Sequence, residues 1–356
     1  MEEIVDRFLK KGKLLTPEAL DYIKTRAIED ALLEVPGVII TRNLIEKAAG
    51  LRIMKNLAEK KTTLTVEDIA YFYKIKFEKI RDLIQQKTQK NFVSLNKLDT
   101  MRQESYVVGI VKDIRKNEKT TIELEDTTGT VQVLVDEAED VELDDVVAFR
   151  AAAAGKILYG HQTIFADIPL RKPATGQGKG CFISDLHLNE APAAEFEKFL
   201  SWIEKEPIDF LFVAGDIGDA AVFEDLVSKY CREKKVFVVP GELDKEEEYP
   251  QTALQFTAKN IISLSNPAMI EVNGLNILMV HSFDQAMLKK RYLGKAKQIA
   301  HSEHMVLDEV PDIVHHGHSD GKVSNYKSVT IVCSGSLLNK FSPVVIDFAT
   351  REVHTR

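Results

Sequence analysis

The chain has 356 residues, 44% hydrophobic and 29% charged, with a formal net charge of −8 at pH 7. That length supplies core for roughly two to three domains. The acidic balance excludes a protein that wraps nucleic acid unaided, because non-specific binding is mainly neutralisation of phosphates by Lys and Arg.

Residues 1–86 read as a helical domain. Thr16-Pro17 is an N-cap followed by Pro at the first helical position, and Thr65-Val66-Glu67-Asp68 places an acid at N3 of a second start. Gly12, Gly37 and Gly50 punctuate the segments between. Leu14, Leu15, Leu20, Ile23, Ile28, Leu32 and Leu33 recur at roughly helical period, which predicts helices that pack on something. Residues 87–104 are polar and irregular, with Lys87, Lys90, Lys97 and Arg102, and read as a tether.

Residues 105–170 change to short strands. Val107–Ile114, Thr121–Glu125 and Thr130–Val135 alternate apolar with polar, and Asp126-Thr127-Thr128-Gly129 is a hairpin turn. Val146–Arg150 and Ile164–Asp167 complete five strands, the number of an OB-type β-barrel. Between the third and fourth strands, Asp136–Asp145 holds seven carboxylates in ten residues without a Lys or Arg. Aromatics are few (Tyr106, Phe149, Tyr159, Phe165), so this barrel is expected to dock protein in preference to nucleic acid. Residues 171–179 form a Pro/Gly-rich linker, and it is no phosphate loop, because the element that follows it is a strand.

From residue 180 onward, five apolar runs of strand length each stop at a Gly or a turn and deliver a carboxylate or an imidazole. Cys181-Phe182-Ile183 leads to Asp185 and His187; Asp209–Val213 to Gly215-Asp216; Lys235–Val239 to Gly241-Glu242-Leu243-Asp244; Leu275–Val280 to His281; and Asp312–His315 to His316-Gly317-His318-Ser319-Asp320. Open α/β sheets place ligands beyond their strand ends in this way. One residue separates Asp185 from His187, so an extended backbone would point both side chains at one cation.

The order Asp-x-His, Gly-Asp, a Gly-Asn-His-Asp position, His and Gly-His-x-His resembles the calcineurin-like metallophosphoesterases, over residues 180–356. That resemblance implies an α/β/β/α sandwich and two divalent metal ions, Mn²⁺ or Mg²⁺, clamping a phosphate ester. It gives Asp185 and His187 to the first metal, Asp216 to both as the catalytic bridge, and His281 and His318 to the second, His318 with a catalytic share. Three positions depart from the pattern. Glu242 replaces Asn and Asp320 replaces His, each keeping an oxygen that suits a hard cation, while Leu243 replaces the catalytic His and supplies no donor. His315 and His316 are neighbours that could substitute for it.

A helical domain, an OB barrel and a calcineurin-like domain in that order resemble the small subunits of archaeal family D DNA polymerases, as do Ile122–Gly129 and Val310–His318 in wording. The resemblance implies an accessory subunit that scaffolds a large catalytic polymerase subunit, meets DNA mainly through the complex, and carries a 3′–5′ exonuclease-type domain, which the departures at Leu243, Glu242 and Asp320 lead one to expect weakened or inactive. An active proofreading exonuclease subunit and a free-standing phosphodiesterase are the alternatives. No run of about 18 apolar residues occurs. The opening Met-Glu-Glu has no basic region followed by an apolar one, and Cys181, Cys231 and Cys333 read as buried thiols, so a cytoplasmic protein away from membranes is expected.

Overall fold

The computed structural model describes all residues except 1, 27–38, 42–49, 62, 101–103, 139, 155–156 and 295–299. Ile28, Leu32, Leu33, Gly37 and Arg102 therefore lie outside the described residues. The chain divides into two compact units. One comprises residues 1–58, 172–282 and 311–356; the other comprises 59–171 and 283–310.

The first unit opens with helix α1 (Glu2–Lys10), strand β1 (Leu14–Leu15), helix α2 (Pro17–Arg26) and strand β2 (Ile39–Ile40), with β1 and β2 paired in parallel. Pro17 begins α2 as the Thr16-Pro17 signal predicts, and Thr16 Oγ1 accepts from the Ala19 N–H at 3.3 Å. The expectation of a purely helical 1–86 segment is not met. β3 (Leu51–Lys55) pairs antiparallel with β13 (Ala268–Val272), more than 200 residues on, and places Leu51 in the core between the sheets. Local periodicity cannot announce a pairing whose partner is so far away in the chain.

The remainder of this unit is two six-stranded sheets. One has the order β12 (Ile261–Ser263), β11 (Lys235–Val239), β10 (Phe210–Ala214), β9 (Lys179–Ile183), β18 (Val344–Asp347) and β19 (Val353–Thr355). The other has the order β16 (Lys322–Tyr326), β17 (Val329–Cys333), β15 (Ile313–His316), β14 (Leu275–Met279), β13 and β3. Phe182, Phe212, Phe237 and Phe348 from the first sheet meet Ile270, Ile277, Met279 and Val332 from the second in a dry layer. Phe182 stacks on Phe212 and Phe212 on Phe237, with centroids 4.7 and 5.1 Å apart. On the opposite face of the first sheet, α4 (Ala193–Lys205) and α5 (Ala220–Tyr230) bury Phe196, Leu200, Ile203, Phe223 and Val227. β9, β10 and β11 run parallel, so their carboxyl ends share one edge. β14 and β15 are likewise parallel.

The second unit is built on α3 (Val66–Thr88) and a closed barrel of β4 (Ser105–Lys116), β5 (Thr120–Asp126), β6 (Gly129–Val135), β8 (Ile157–Ile164) and β7 (Val146–Ala154), in that order around the wall. The predicted start of α3 is a full capping box, Thr65 Oγ1 taking the Asp68 N–H while Asp68 returns to the Thr65 N–H. The fifth strand is 157–164, not 164–167. Only Leu158 and Ile164 of β8 are buried, so the alternation there is faint. It packs close at Gly160, where a Cβ would meet Val135 Cγ1 at 2.7 Å. Nor is the stretch after α3 a free tether, because a 3₁₀ turn over Leu95–Thr100 inserts Leu95 and Leu98 into the barrel core.

Segment 283–310 carries α6 (Ala286–Lys290) and α7 (Ser302–Met305) and packs within this unit. Lys76 of α3, 3% exposed, lies 3.9 Å from the Tyr292 ring centroid, and burial pushes its ammonium down to about 8. Part of the acidic stretch expected to dock protein carries counter-charges from within this unit. Lys289 pairs with Asp140, Lys290 with Glu142 and Asp145, and Lys119 with Asp136. No described helix is long and apolar enough to cross a membrane.

Candidate metal centre

The site lies where β9, β10, β11, β14 and β15 end. Asp185, His187 and Asp216 form one group and Asp216, His281 and His318 another, the donor atoms within each lying inside 4.8 Å of one another. Asp216 belongs to both. The loops are tied by backbone hydrogen bonds: Asp185 N–H to Gly215 O at 3.0 Å, His187 N–H to Asp216 O at 2.9 Å, and Gly317 N–H to His281 O at 2.9 Å.

The extended geometry expected for Asp185 and His187 is not what gathers them. Asp185, His187, Asp216 and His318 all have positive φ (53°, 46°, 50° and 55°). Left-handed backbone at four non-glycine positions of one site costs energy at each, and such strain collects where a site needs side chains turned sharply off a strand end. Glycine supplies the close approaches. A Cβ at Gly241 would fall 2.1 Å from Asp216 Oδ1, and one at Gly317 would fall 2.6 Å from Asp185 Oδ2.

Hydrogen bonds aim the ligand atoms. His281 is fully buried, and its Nδ1 lies 2.8 Å from the Ala214 carbonyl, so an Nδ1–H donated there leaves Nε2 as the free donor atom. That Nε2 is 3.3 Å from Asp216 Oδ2, at ion-pair distance but without hydrogen-bond alignment. Burial disfavours the imidazolium, yet the Asp216 carboxylate outweighs it and pushes His281 up to about 9. Asp216 is likewise opposed by burial but held below the usual carboxylate range by His281. Asp185 takes the His318 N–H at 3.1–3.2 Å, and Asp216 Oδ1 takes the Leu243 N–H at 3.0 Å.

Leu243 is 68% exposed, with its side chain turned to solvent. Glu242 and Asp320 are also exposed and belong to neither ligand group. His315 cannot stand in for the missing histidine. It is fully buried in the layer between the sheets, its ring edge-on to Phe182 at 5.1 Å, and burial drives it well below the ordinary histidine range. His316 is closer, half-buried, with Nδ1 2.8 Å from Gly317 O and lowered by burial.

Asp244 carries no assigned role in the sequence pattern, although its place directly after Leu243 in the third motif is the available signal. Its carboxylate accepts from the Gly241, Ile217 and Gly218 N–H groups at 2.7, 2.8 and 3.1 Å, clasping the Asp216 loop to the Gly241 loop. Burial raises its carboxyl, with the Asp216 charge adding to the effect.

The donor set fits a metal. Carboxylate oxygens plus imidazole nitrogens suit divalent first-row cations and Mg²⁺, and a buried imidazole Nε2 without an aligned partner, pointed at a carboxylate, is an atom that a cation would satisfy. Residues 179–356, half of the chain, match the calcineurin-like phosphoesterase superfamily domain. The chain belongs to the calcineurin-like phosphoesterase superfamily. As a member of it, the protein is similar along most of its length to archaeal proteins named DNA polymerase II small subunit. The one from Archaeoglobus fulgidus is 24% identical, over 89% of this chain and 77% of that protein. That from Methanothermobacter thermautotrophicus is 24% identical over 77% and 73%, and that from Pyrococcus furiosus 27% identical over 84% and 61%. Among solved structures, Chaetomium thermophilum Vps29 is 16% identical and covers 50% of this chain and 94% of its own, with a TM-score of 0.30.

Proposed function

We propose that this superfamily member is the accessory small subunit of a replicative DNA polymerase of the archaeal two-subunit kind, holding a large catalytic subunit and meeting DNA mainly through it. The observation that carries the reading is similarity over 89% of the chain to a protein named DNA polymerase II small subunit, spanning barrel and phosphoesterase sandwich together. A phosphodiesterase working alone has no evident use for the barrel. The strand order β4-β5-β6-β8-β7 supports an OB-type identity for that barrel. Three buried free thiols fit a reducing compartment such as the cytoplasm.

The metal centre is read as a two-cation site for Mn²⁺ or Mg²⁺, with Asp185 and His187 on one side, His281 and His318 on the other and Asp216 shared; Glu242 and Asp320 are close enough in sequence to join only if their loops move. When bound, the two cations would polarise a phosphate ester and supply an activated water. The chain's own part is to hold the cations through Asp216, orient His281 by the Ala214 carbonyl, and move a proton at the leaving oxygen. For that last task position 243 offers an aliphatic side chain. A positioned acid–base group contributes about 10²–10⁴-fold, so 3′–5′ exonuclease activity is expected to be weak while metal binding persists. The two donor groups around Asp216 favour one second reading, an active proofreading subunit, which substitution of Leu243 separates from the first.

Tagged in its native cell, the protein should bring down a much larger polymerase polypeptide in near-equal amount. Recovery of the chain by itself would overturn the reading.

A further inference from the structure

Between the Gly241 loop and the end of β14 lies a buried pair of amides. Gln251 and Asn266 are each 2% exposed. Their main chains exchange two hydrogen bonds, Gln251 N–H to Asn266 O at 2.8 Å and Asn266 N–H to Gln251 O at 2.9 Å. The side chains then bridge outward. Asn266 Nδ2 donates to Gln251 Oε1 at 2.8 Å, Gln251 Nε2 donates to the Gly241 carbonyl at 2.8 Å, and the His281 N–H donates to Asn266 Oδ1 at 3.1 Å.

The relay is unbroken from the backbone of the loop that bears Leu243 to the backbone of His281. Each link is neutral and directional, so it fixes geometry without adding charge to the site. Burying two primary amides is costly unless they are hydrogen-bonded, and a satisfied buried network of this kind specifies one arrangement of the segments it joins. Little slack exists at either end. Gly241 packs so close to Asp216 Oδ1 that a shift of its loop moves that carboxylate, and the same loop donates the Leu243 N–H to it. At the other end, the His281 ring is already held by Ala214 O, so the Asn266 bond to its main chain completes its placement.

Resting on the reading of this site as a metal centre, we propose that Gln251 and Asn266 are positioning residues that set the separation of Asp216 and His281, and with it the affinity for the cation those two share. Neither would touch the cation. Groups that orient metal ligands from behind typically control affinity by about 10- to 100-fold.

The test is calorimetric titration of the metal-stripped full chain with Mn²⁺. Gln251→Met keeps length and removes the amide; Asn266→Ala removes the acceptor for His281. Leu200→Ala truncates a buried residue of α4 in the core on the far face of the first sheet and serves as a control for general loosening. At a temperature where circular dichroism shows all variants folded, the two amide variants should bind Mn²⁺ about 10- to 100-fold more weakly, while Leu200→Ala stays near wild type. Should Gln251→Met fail to fold, the shorter Gln251→Asn, which cannot span to Gly241, is read in the same way. Wild-type affinity in the amide variants, or an equal loss in Leu200→Ala, overturns the positioning role while leaving the metal centre standing. Failure of the wild-type protein to bind Mn²⁺ overturns the metal centre and the positioning role with it.

Discussion

At Leu243 the backbone still serves the metal centre while the side chain does not. Its N–H holds Asp216, and its isobutyl group, 68% exposed, packs on little that a replacement would disturb. Leu243→His should therefore fold as well as wild type and raise release of 3′ nucleotides from single-stranded DNA with Mn²⁺ by about tenfold or more, short of the 10²–10⁴-fold of a fully positioned group. Asp216→Ala should abolish whatever activity exists, since both ligand groups share that carboxylate. Wild-type activity already equal to that of Leu243→His would point to another proton donor, with His316 the nearest candidate. His315 makes a separate prediction about pH. Its folded-state value lies below the 6.5 of a free histidine, so the unfolded chain takes up a proton there before the folded chain does. Stability from this residue is therefore full above about pH 6.5 and falls as pH drops below it. Thermal melts at pH 7.5 and 5.5 should show a steeper acid loss for wild type than for His315→Phe; parallel losses would rule this source out.

The strands that deliver the site residues were legible because each is a short, fully buried run stopped by Gly or Asp: β10, Phe210–Ala214, is buried at every position, and Gly215-Asp216 follows. Elements whose identity depends on distant partners were not. β3 is a strand because β13 offers it an edge, and β8 is one because β6 and β7 close around it. In the site, the residues that gather around Asp216 could be read from the order of motifs, but the left-handed backbone that gathers them could not, nor could the amide relay, whose members carry no motif. The internal counter-charges of the acidic stretch were not legible for a similar reason, Lys289 and Lys290 lying about 150 residues on in sequence. Those two lysines should differ in weight. Lys290 and Asp145 are 13% and 11% exposed and 2.9 Å apart, so Lys290→Ala leaves a buried carboxylate without its partner and should cost about 2 kcal/mol. Asp140, the partner of Lys289, is 63% exposed, and Lys289→Ala should cost less than about 0.5 kcal/mol. Urea unfolding followed by Trp202 would not report this unit, so limited proteolysis within 283–310 is the suitable readout. Equal protection in the two variants would contradict the assignment.

In the proposed role, barrel and sandwich together hold a larger polymerase subunit and the metal centre is secondary. An obligate interface of that kind buries on the order of 2,000 Å² or more. With Asp136, Asp140, Glu142 and Asp145 paired internally, charge steering by the acidic stretch should contribute little, and the complex should survive salt well above the ~0.15 M at which screening is already short-ranged. The direct measurement is co-expression with the large polymerase subunit of the same organism, followed by size-exclusion chromatography with light scattering at about 0.5 M salt. A single species with the summed mass of one large and one small chain is the predicted result. Two proteins eluting separately, each at its own mass, would rule out the accessory-subunit role.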